Sequence, residues 1–299
     1  MFARLFAESG LSLDRLRSLL EVGAAGSIAK AASGDPVRQS QYSRQIKELE
    51  DFFQTRLVER HGKGVRLTQN GKALARISRF FMLGLSNFQR GCLAEEQVFR
   101  IGASATFIES FLLPILAVQQ NARYAVETLA NDEIERRLHD LTLDFGVVTA
   151  ATLSRPLQFA ELGSWGLSLW APKSLHKNER QVLLALKEKR LRLVLAAQEM
   201  EADTLSFPTQ YRPALACNSF IEAKAALNRE TLAAFLPDFL TPHNHAKAFL
   251  RMEMPAKDSS GMRIRYQLGW NPRLLRLNPH AVRGRDFLLA ALKARVHKA

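Results

Sequence analysis

The chain has 299 residues, 47% of them apolar and 24% charged, enough for two domains with true cores or at most three small ones. Its 42 Lys and Arg against 29 Asp and Glu leave a formal charge of +13, which favours a polyanionic partner, either nucleic acid or an anionic membrane surface. Two widely separated cysteines, Cys92 and Cys217, argue against a disulfide framework and suit a reducing cytosol, no run of 18 uncharged apolar residues is there to span a bilayer, and the N-terminus lacks the apolar core and cleavage site of a secretory signal.

The first 68 residues read as short helical segments broken by glycine, at 13–22, 27–32 and about 36–53. VERHGKGVRLT (58–68) follows, with two glycines between strand-like runs, and predicts a small hairpin. Thr68 is well placed to cap the next helix, which runs without proline to about residue 96. Leu74, Ile77, Phe81, Leu85, Phe88 and Cys92 fall at steps of 3, 4, 4, 3 and 4, one stripe along that helix. The stripe needs a partner, either its own domain or a second copy of the chain. Its length, beyond that of an ordinary globular helix, favours a dimer seam through Leu74, Ile77, Phe81, Leu85 and Phe88.

After residue 97 the chain alternates. FRIGASA (99–105) is strand-like, 107–120 helical, YAVETLA (124–130) a strand, 131–140 helical and LDFGVVT (143–149) a strand. Alternating β and α units predict a parallel sheet covered by helices on both faces. The pattern continues through 157–162, 166–171, 191–196, 220–227 and 232–236. YQLGW (266–270) and a helix from about Ala281 then read as a late return to the first α/β unit.

The helix at 36–53 carries the most chemistry. Asp35 suits an N-cap and Pro36 the first helical position, where its missing N–H costs nothing. Tyr42, Ile46, Leu49 and Phe53 define the buried face; Arg38, Gln39, Gln41, Ser43, Arg44, Gln45 and Lys47 project elsewhere. A solvated polar face is the plain alternative. Against it, the acids Glu48, Glu50 and Asp51 are confined to the far end, while the near end holds the Arg, Gln and Ser side chains that pair with base edges and phosphates. Upstream, the Gly26-Ser27 break gives the layout of a helix-turn-helix. Downstream, Arg60, His61, Lys63 and Arg66 surround a turn suited to a wing on the DNA backbone. Ser27, Lys30 and Ser40 complete the candidate DNA-facing set. Residues 1–90 hold 15 Lys and Arg against 8 acids, a local +7.

The segment 22–74 resembles the winged helix-turn-helix of the LysR-type transcriptional regulators. The matching pieces are Gly26-Ser27, Ala31-Ala32, Val37, Gln39, Ser43-Arg44-Gln45-Ile46, Leu49-Glu50, Leu57-Val58-Glu59-Arg60 and Leu67-Thr68. The remainder is similar to the family more loosely, through FRIGAS, LLP at 112–114, LD at 143–144 and LPDFL at 236–240. The resemblance implies an α/β protein with an otherwise all-α winged helix-turn-helix at 1–68 and a linker helix at 69–96. Residues 97–299 would form a two-subdomain effector domain like a periplasmic binding protein, subdomain I at about 97–163 and 264–299 and subdomain II at about 164–263. It further implies double-stranded DNA, a small-molecule effector, RNA polymerase and further copies of the chain (a dimer, or a tetramer of two dimers) as partners. A cytoplasmic location, with no cofactor and no membrane partner, goes with it.

The sequence departs from the family at three places. Asp35 stands where an apolar Leu is usual, and Arg38-Gln39-Ser40 where Ser-Gln-Pro is common, which implies an earlier helix start or a different entry into the groove. Arg229-Glu230-Thr231-Leu232 stands where two glycines commonly precede LPDFL, which implies an altered ligand pocket.

Ser104 and Thr106 fall where a strand gives way to a helix, a junction whose free N–H groups attract carboxylates and other anions. Simple capping by Thr106 is the alternative. Asn218 and Ser219, ahead of the helix at 220–227, face them as an expected opposite wall, and a small organic acid is the expected effector. Signs of catalysis are weak: His243-Asn244-His245 reads as a surface loop, Cys217 as an inert small hydrophobe, and no nucleophile, phosphate-loop or paired-Cys motif occurs. The tail from 251 holds 11 Lys and Arg against 3 acids, a solvated surface or an added DNA-facing patch. A solute-binding protein or enzyme on the same α/β fold, and a regulator with a degenerate pocket, are the competing readings.

Overall fold

The computed structural model describes residues 5, 10–62, 64–93, 98–119, 122–149, 153–200, 212–242, 245–253 and 263–296. Contacts divide the chain into two compact units, Met1–Glu95 and Glu96–Ala299.

In the first unit, α1 (Leu13–Ala25), α2 (Ile28–Ala31) and α3 (Pro36–Phe53) precede a hairpin of β1 (Val58–His61) and β2 (Gly64–Leu67), and α4 (Gln69–Leu93) follows. Each start has its expected cap. Ser12 accepts from the Arg15 N–H, Asp35 from the Val37 and Arg38 N–H groups, and Thr68 Oγ1 from the Gly71 N–H. Pro36 occupies the first turn of α3, so the helix begins where its own residues dictate despite the departure at Asp35. Leu16, Leu19, Leu49 and Leu57 form one buried cluster, and Val22, Ala32, Tyr42 and Ile46 a second. Full burial of each large aliphatic side chain contributes about 1.5–3 kcal/mol.

Two devices fix the hairpin. The Val65 N–H donates to the Gly26 carbonyl at 3.0 Å, an approach that requires Gly64, because a Cβ there would lie 2.4 Å from that oxygen. Buried Glu50 accepts from the N–H groups of Leu57 and Val58 at 2.8 and 3.2 Å and pairs with Arg56. Leu74 corrects the expected seam: with Met82 it packs against the Leu16–Leu57 cluster, because the first turns of α4 lie on their own domain. Ile77, Phe81, Leu85 and Phe88 remain exposed, from 45% for Leu85 to 74% for Phe88. Cys92 lies outside the described side chains.

In the second unit, nine strands among the described residues form one sheet. Its order is β4 (Arg123–Thr128), β3 (Val98–Ala103), β5 (Phe145–Thr149), β11 (Arg263–Trp270), β6 (Gln158–Pro172), β9 (Ala233–Pro237), β7 (Leu193–Ala196) and β8 (Leu215–Cys217), with β10 (Phe249–Glu253) beside β6. The sheet is mixed rather than parallel throughout. β3 pairs in parallel with β4 and β5, and β7 with β8 and β9, whereas β6, β10 and β11 run antiparallel to their neighbours. The two strands expected at 157–162 and 166–171 are one, β6, whose first part pairs with β11 and whose last part pairs with β9 and β10. That strand joins the two parallel blocks, and β11 supplies the expected return to the first.

Helices cover the sheet: a helical segment at 105–116 with a π-helical middle (Ile108–Leu112), then Asn131–His139, Glu179–Lys187, Phe220–Leu227, His245–Ala248, Pro272–Leu277 and Pro279–Val296. Phe107, Phe111, Trp165, Phe239 and Tyr266 stack with ring centroids 4.8–5.6 Å apart and lock the helical segment onto β6 and β11.

Candidate nucleic-acid interface and ligand cavity

The first unit presents one polar helix face. Tyr42, Ile46 and Leu49 turn α3 inward, and the inward polar groups find partners. The Tyr42 hydroxyl donates to Glu21, which raises its pKa, Arg15 pairs with Glu48 at 2.5 Å, and Ser18 donates to Gln45. Gln45, expected to project outward, is therefore a core-side residue. Its amide reaches α1 across the helix pair.

The residues singled out for DNA remain outside. Arg38, Ser40, Gln41, Ser43 and Lys47 are exposed and Gln39 half-buried. Among the described residues their side chains make no hydrogen bond or ion pair. Arg44, 74% exposed, has only a loose 3.8 Å contact with Glu48. Ser27 caps α2 at its Lys30 N–H, and Lys30 is exposed. In the hairpin, Arg60 is exposed without a partner among the described residues, and Arg66 pairs with Glu59 across the strands at 2.7 Å. Lys63 lies outside the described residues. The turn between α2 and α3 places Ser33 and Gly34 at φ 53° and 82°, a left-handed pair that re-aims the chain into α3.

The second unit holds a cavity of about 130 Å³ whose lining includes Ser104, Asn131, Thr149, Glu199, Asn218, Ser219, Glu222 and Tyr266. The expected wall residues Ser104, Asn218 and Ser219 do meet here, but the hydroxyls of Ser104 and Ser219 and the backbone N–H of Asn218 are already engaged. Thr106 is fully buried and is not among the lining residues. Its N–H donates to Glu199 Oε1 at 3.1 Å and its hydroxyl to Glu199 Oε2 at 2.6 Å. The same Oε2 accepts the Phe220 N–H at 2.8 Å. One internal carboxylate therefore satisfies the starts of both the 105–116 segment and the helix Phe220–Leu227. Thr106 does not offer its hydroxyl to a ligand, a correction to the sequence expectation.

Ser104 Oγ accepts from the Phe107 N–H at 3.4 Å, the capping role. On the opposite wall, Ser219 and Glu222 form a capping box, and Glu222 Oε2 also accepts the Asn218 N–H at 2.7 Å. Tyr266 is 1% exposed and its hydroxyl has no hydrogen-bond partner of ordinary geometry, although Ser104 interacts with it. Burial, reinforced by the Glu199 charge, pushes the Tyr266 phenol well up, so it stays protonated. Burial likewise pushes the Cys217 thiol up, in keeping with an inert cysteine.

Sequence reasoning missed Glu199. It sits in the turn after β7, 93 residues from Thr106, and its only local signal is an acid with no neighbouring cation (Gln198-Glu199). Of the close histidine pair, His243 lies outside the described residues.

The family model described as bacterial regulatory helix-turn-helix protein, lysR family, matches residues 13–72, and that of the LysR substrate binding domain matches 94–293. The HTH-type transcriptional regulator HdfR of Yersinia pestis (strain Pestoides F) is 24% identical over 251 residues, 76% of this chain and 82% of that one. Two solved structures share the fold. ArgP from Mycobacterium tuberculosis has a TM-score of 0.66 at 18% identity, covering 93% of this chain and 96% of that one. Full-length LysG from Corynebacterium glutamicum, solved with bound effector Arg, has a TM-score of 0.60 at 19% identity, covering 91% and 98%.

Proposed function

The chain belongs to the LysR family of bacterial DNA-binding transcriptional regulators, and from that premise we propose how its parts divide the work. Helix α3 lies in the major groove, with Gln39, Gln41 and Ser43 on base edges. Arg38, Ser40, Arg44 and Lys47, with Ser27 and Lys30 of the preceding turn and Arg60, Lys63 and Arg66 of the wing, hold phosphates. The exposed stripe of Ile77, Phe81, Leu85 and Phe88 closes a dimer, which acts alone or as half of a tetramer of two dimers, so that paired α3 helices meet paired half-sites. The second unit binds a small-molecule effector in its cavity and passes that state to DNA occupancy. RNA polymerase is the further protein partner, and the cytoplasm the site of action.

The observation that carries this reading is the outer face of α3. Its first three turns hold five polar or cationic side chains without an internal partner among the described residues (Arg38, Gln39, Ser40, Gln41 and Ser43), on a helix whose other face is buried. A solute-binding protein or an enzyme on the same α/β fold has no use for such a module, and neither gains support. The polar cavity favours effector control over a degenerate pocket.

Footprinting and affinity measurements across a salt series test the placement. Ser43→Ala changes affinity at the bases it touches and leaves the salt slope intact. Arg44→Ala weakens all sequences alike and flattens the slope by about one unit. Parental footprints and affinities in both variants would overturn the assignment of α3.

A further inference from the structure

The cavity in the second unit, about 130 Å³, has room for a ligand of on the order of ten heavy atoms. In a chain of net charge +13, its lining includes two carboxylates, Glu199 and Glu222, and, among the described residues, no Lys, Arg or His. An incoming acid would find the N–H groups of Thr106, Phe220, Asn218 and Ser219 already bonded to those two carboxylates. It would add a third negative charge to the pair, without a cation to offset it. Beside the neutral side-chain amides of Gln198 and Asn218, what the cavity leaves unspent is anionic acceptor capacity. Glu222 Oε1 accepts no bond from a described residue, and Tyr266, buried and without an ordinary partner at its hydroxyl, lines the same space.

We propose that this cavity selects a small amine or guanidine, held by charge-assisted hydrogen bonds to Glu222 with the Tyr266 hydroxyl beside it, while Glu199 fills the helix-end position where an anionic ligand would otherwise bind. The inference rests on the second unit being the effector-binding part and narrows the ligand class of that site. Glu199 thus acts as a built-in counterpart to a ligand carboxylate, and the ligand supplies the donors.

The test is calorimetry on the full chain, with 1,4-diaminobutane and butylguanidine set against succinate and butyrate at matched ionic strength. At least one of the two cationic probes binds at a single site, and neither acid does. Glu222→Gln keeps the cap geometry and the parental melting temperature but weakens that binding roughly tenfold or more, as loss of a charge-assisted hydrogen bond requires. A second variant, Glu199→Ala, vacates the helix ends, so acetate raises its melting temperature and leaves the parent's unchanged. The proposal is overturned if neither cationic probe binds, if either acid binds the parent, if Glu222→Gln binds the cations as the parent does, or if acetate fails to distinguish Glu199→Ala from the parent. DNA affinity, measured on the same samples, separates the two readings. Loss of sequence-specific DNA binding by the parent would count against the regulator assignment and leave the ligand result standing, whereas acids that shift DNA occupancy would keep the regulator and sink the amine site.

Discussion

Helix α3 and the helical segment at 105–116 both begin with a capped turn rich in hydrogen-bonding groups, and those groups meet different fates. In α3, Asp35 satisfies the first N–H groups, and Arg38, Gln39, Ser40, Gln41 and Ser43 beyond it find no internal partner among the described residues. At 105–116, Ser104 caps locally while Glu199, distant in sequence, takes up the N–H and hydroxyl of Thr106 and a further N–H at Phe220. A capped helix start can thus be an open surface or a closed knot. The difference lies in whether another part of the chain supplies the complementary charge. An unspent donor or acceptor looks outward for its partner; a spent one holds the fold together.

The sharpest way to break this contrast is to remove the carboxylate that closes the knot. Glu199→Ala leaves two backbone N–H groups and a hydroxyl buried without their acceptor, and is expected to destabilise the second unit by about 3–5 kcal/mol, read by urea denaturation. A cost under about 1 kcal/mol would mean that the bonds at Glu199 hold little together.

Next in size is the exposed stripe of α4, another set of groups without a described partner. Ile77→Asp with Phe81→Asp should weaken self-association by on the order of 2–4 kcal/mol while leaving the circular-dichroism spectrum unchanged. Sedimentation at the parental mass would show that the stripe is not an interface.

On α3 the contrast predicts function without stability. Gln39→Ala should lower specific DNA affinity by about 1–3 kcal/mol and move unfolding stability by no more than about 0.5 kcal/mol. A comparable loss in both quantities would place Gln39 in the fold rather than at the groove.

The smallest effect concerns Glu230, which sits at φ 55° just before β9, within the run where the resemblance leads one to expect two glycines. Glu230→Gly should relieve the left-handed conformation and stabilise the second unit by about 0.5–1 kcal/mol, detectable as a raised urea midpoint. A lowered midpoint would show that the side chain repays its strain through contacts.

Much of this was legible in the residues themselves. Asp35-Pro36 set the start of α3, the Tyr42, Ile46 and Leu49 spacing set its buried face, and Thr68 marked the start of α4, because caps and helical period act over three or four residues. The alternation after residue 97 was enough for an α/β layering, and the acids crowded at the far end of α3 singled out the face proposed above to meet DNA. Tertiary structure decided whatever depended on a distant partner. The merger of two expected strands into β6 and the antiparallel return of β11 followed from pairings that no local pattern encodes. The inward turn of Gln45 depended on Ser18 in α1, and that of Leu74 on a core assembled from α1, α3 and the start of β1. Glu199 is the plainest case: an unremarkable acid in a turn became the acceptor at two helix starts because folding brought Thr106 and Phe220 to it. Loop closure over such separations costs chain entropy that only the assembled unit offsets, so the bond has no precursor in local sequence.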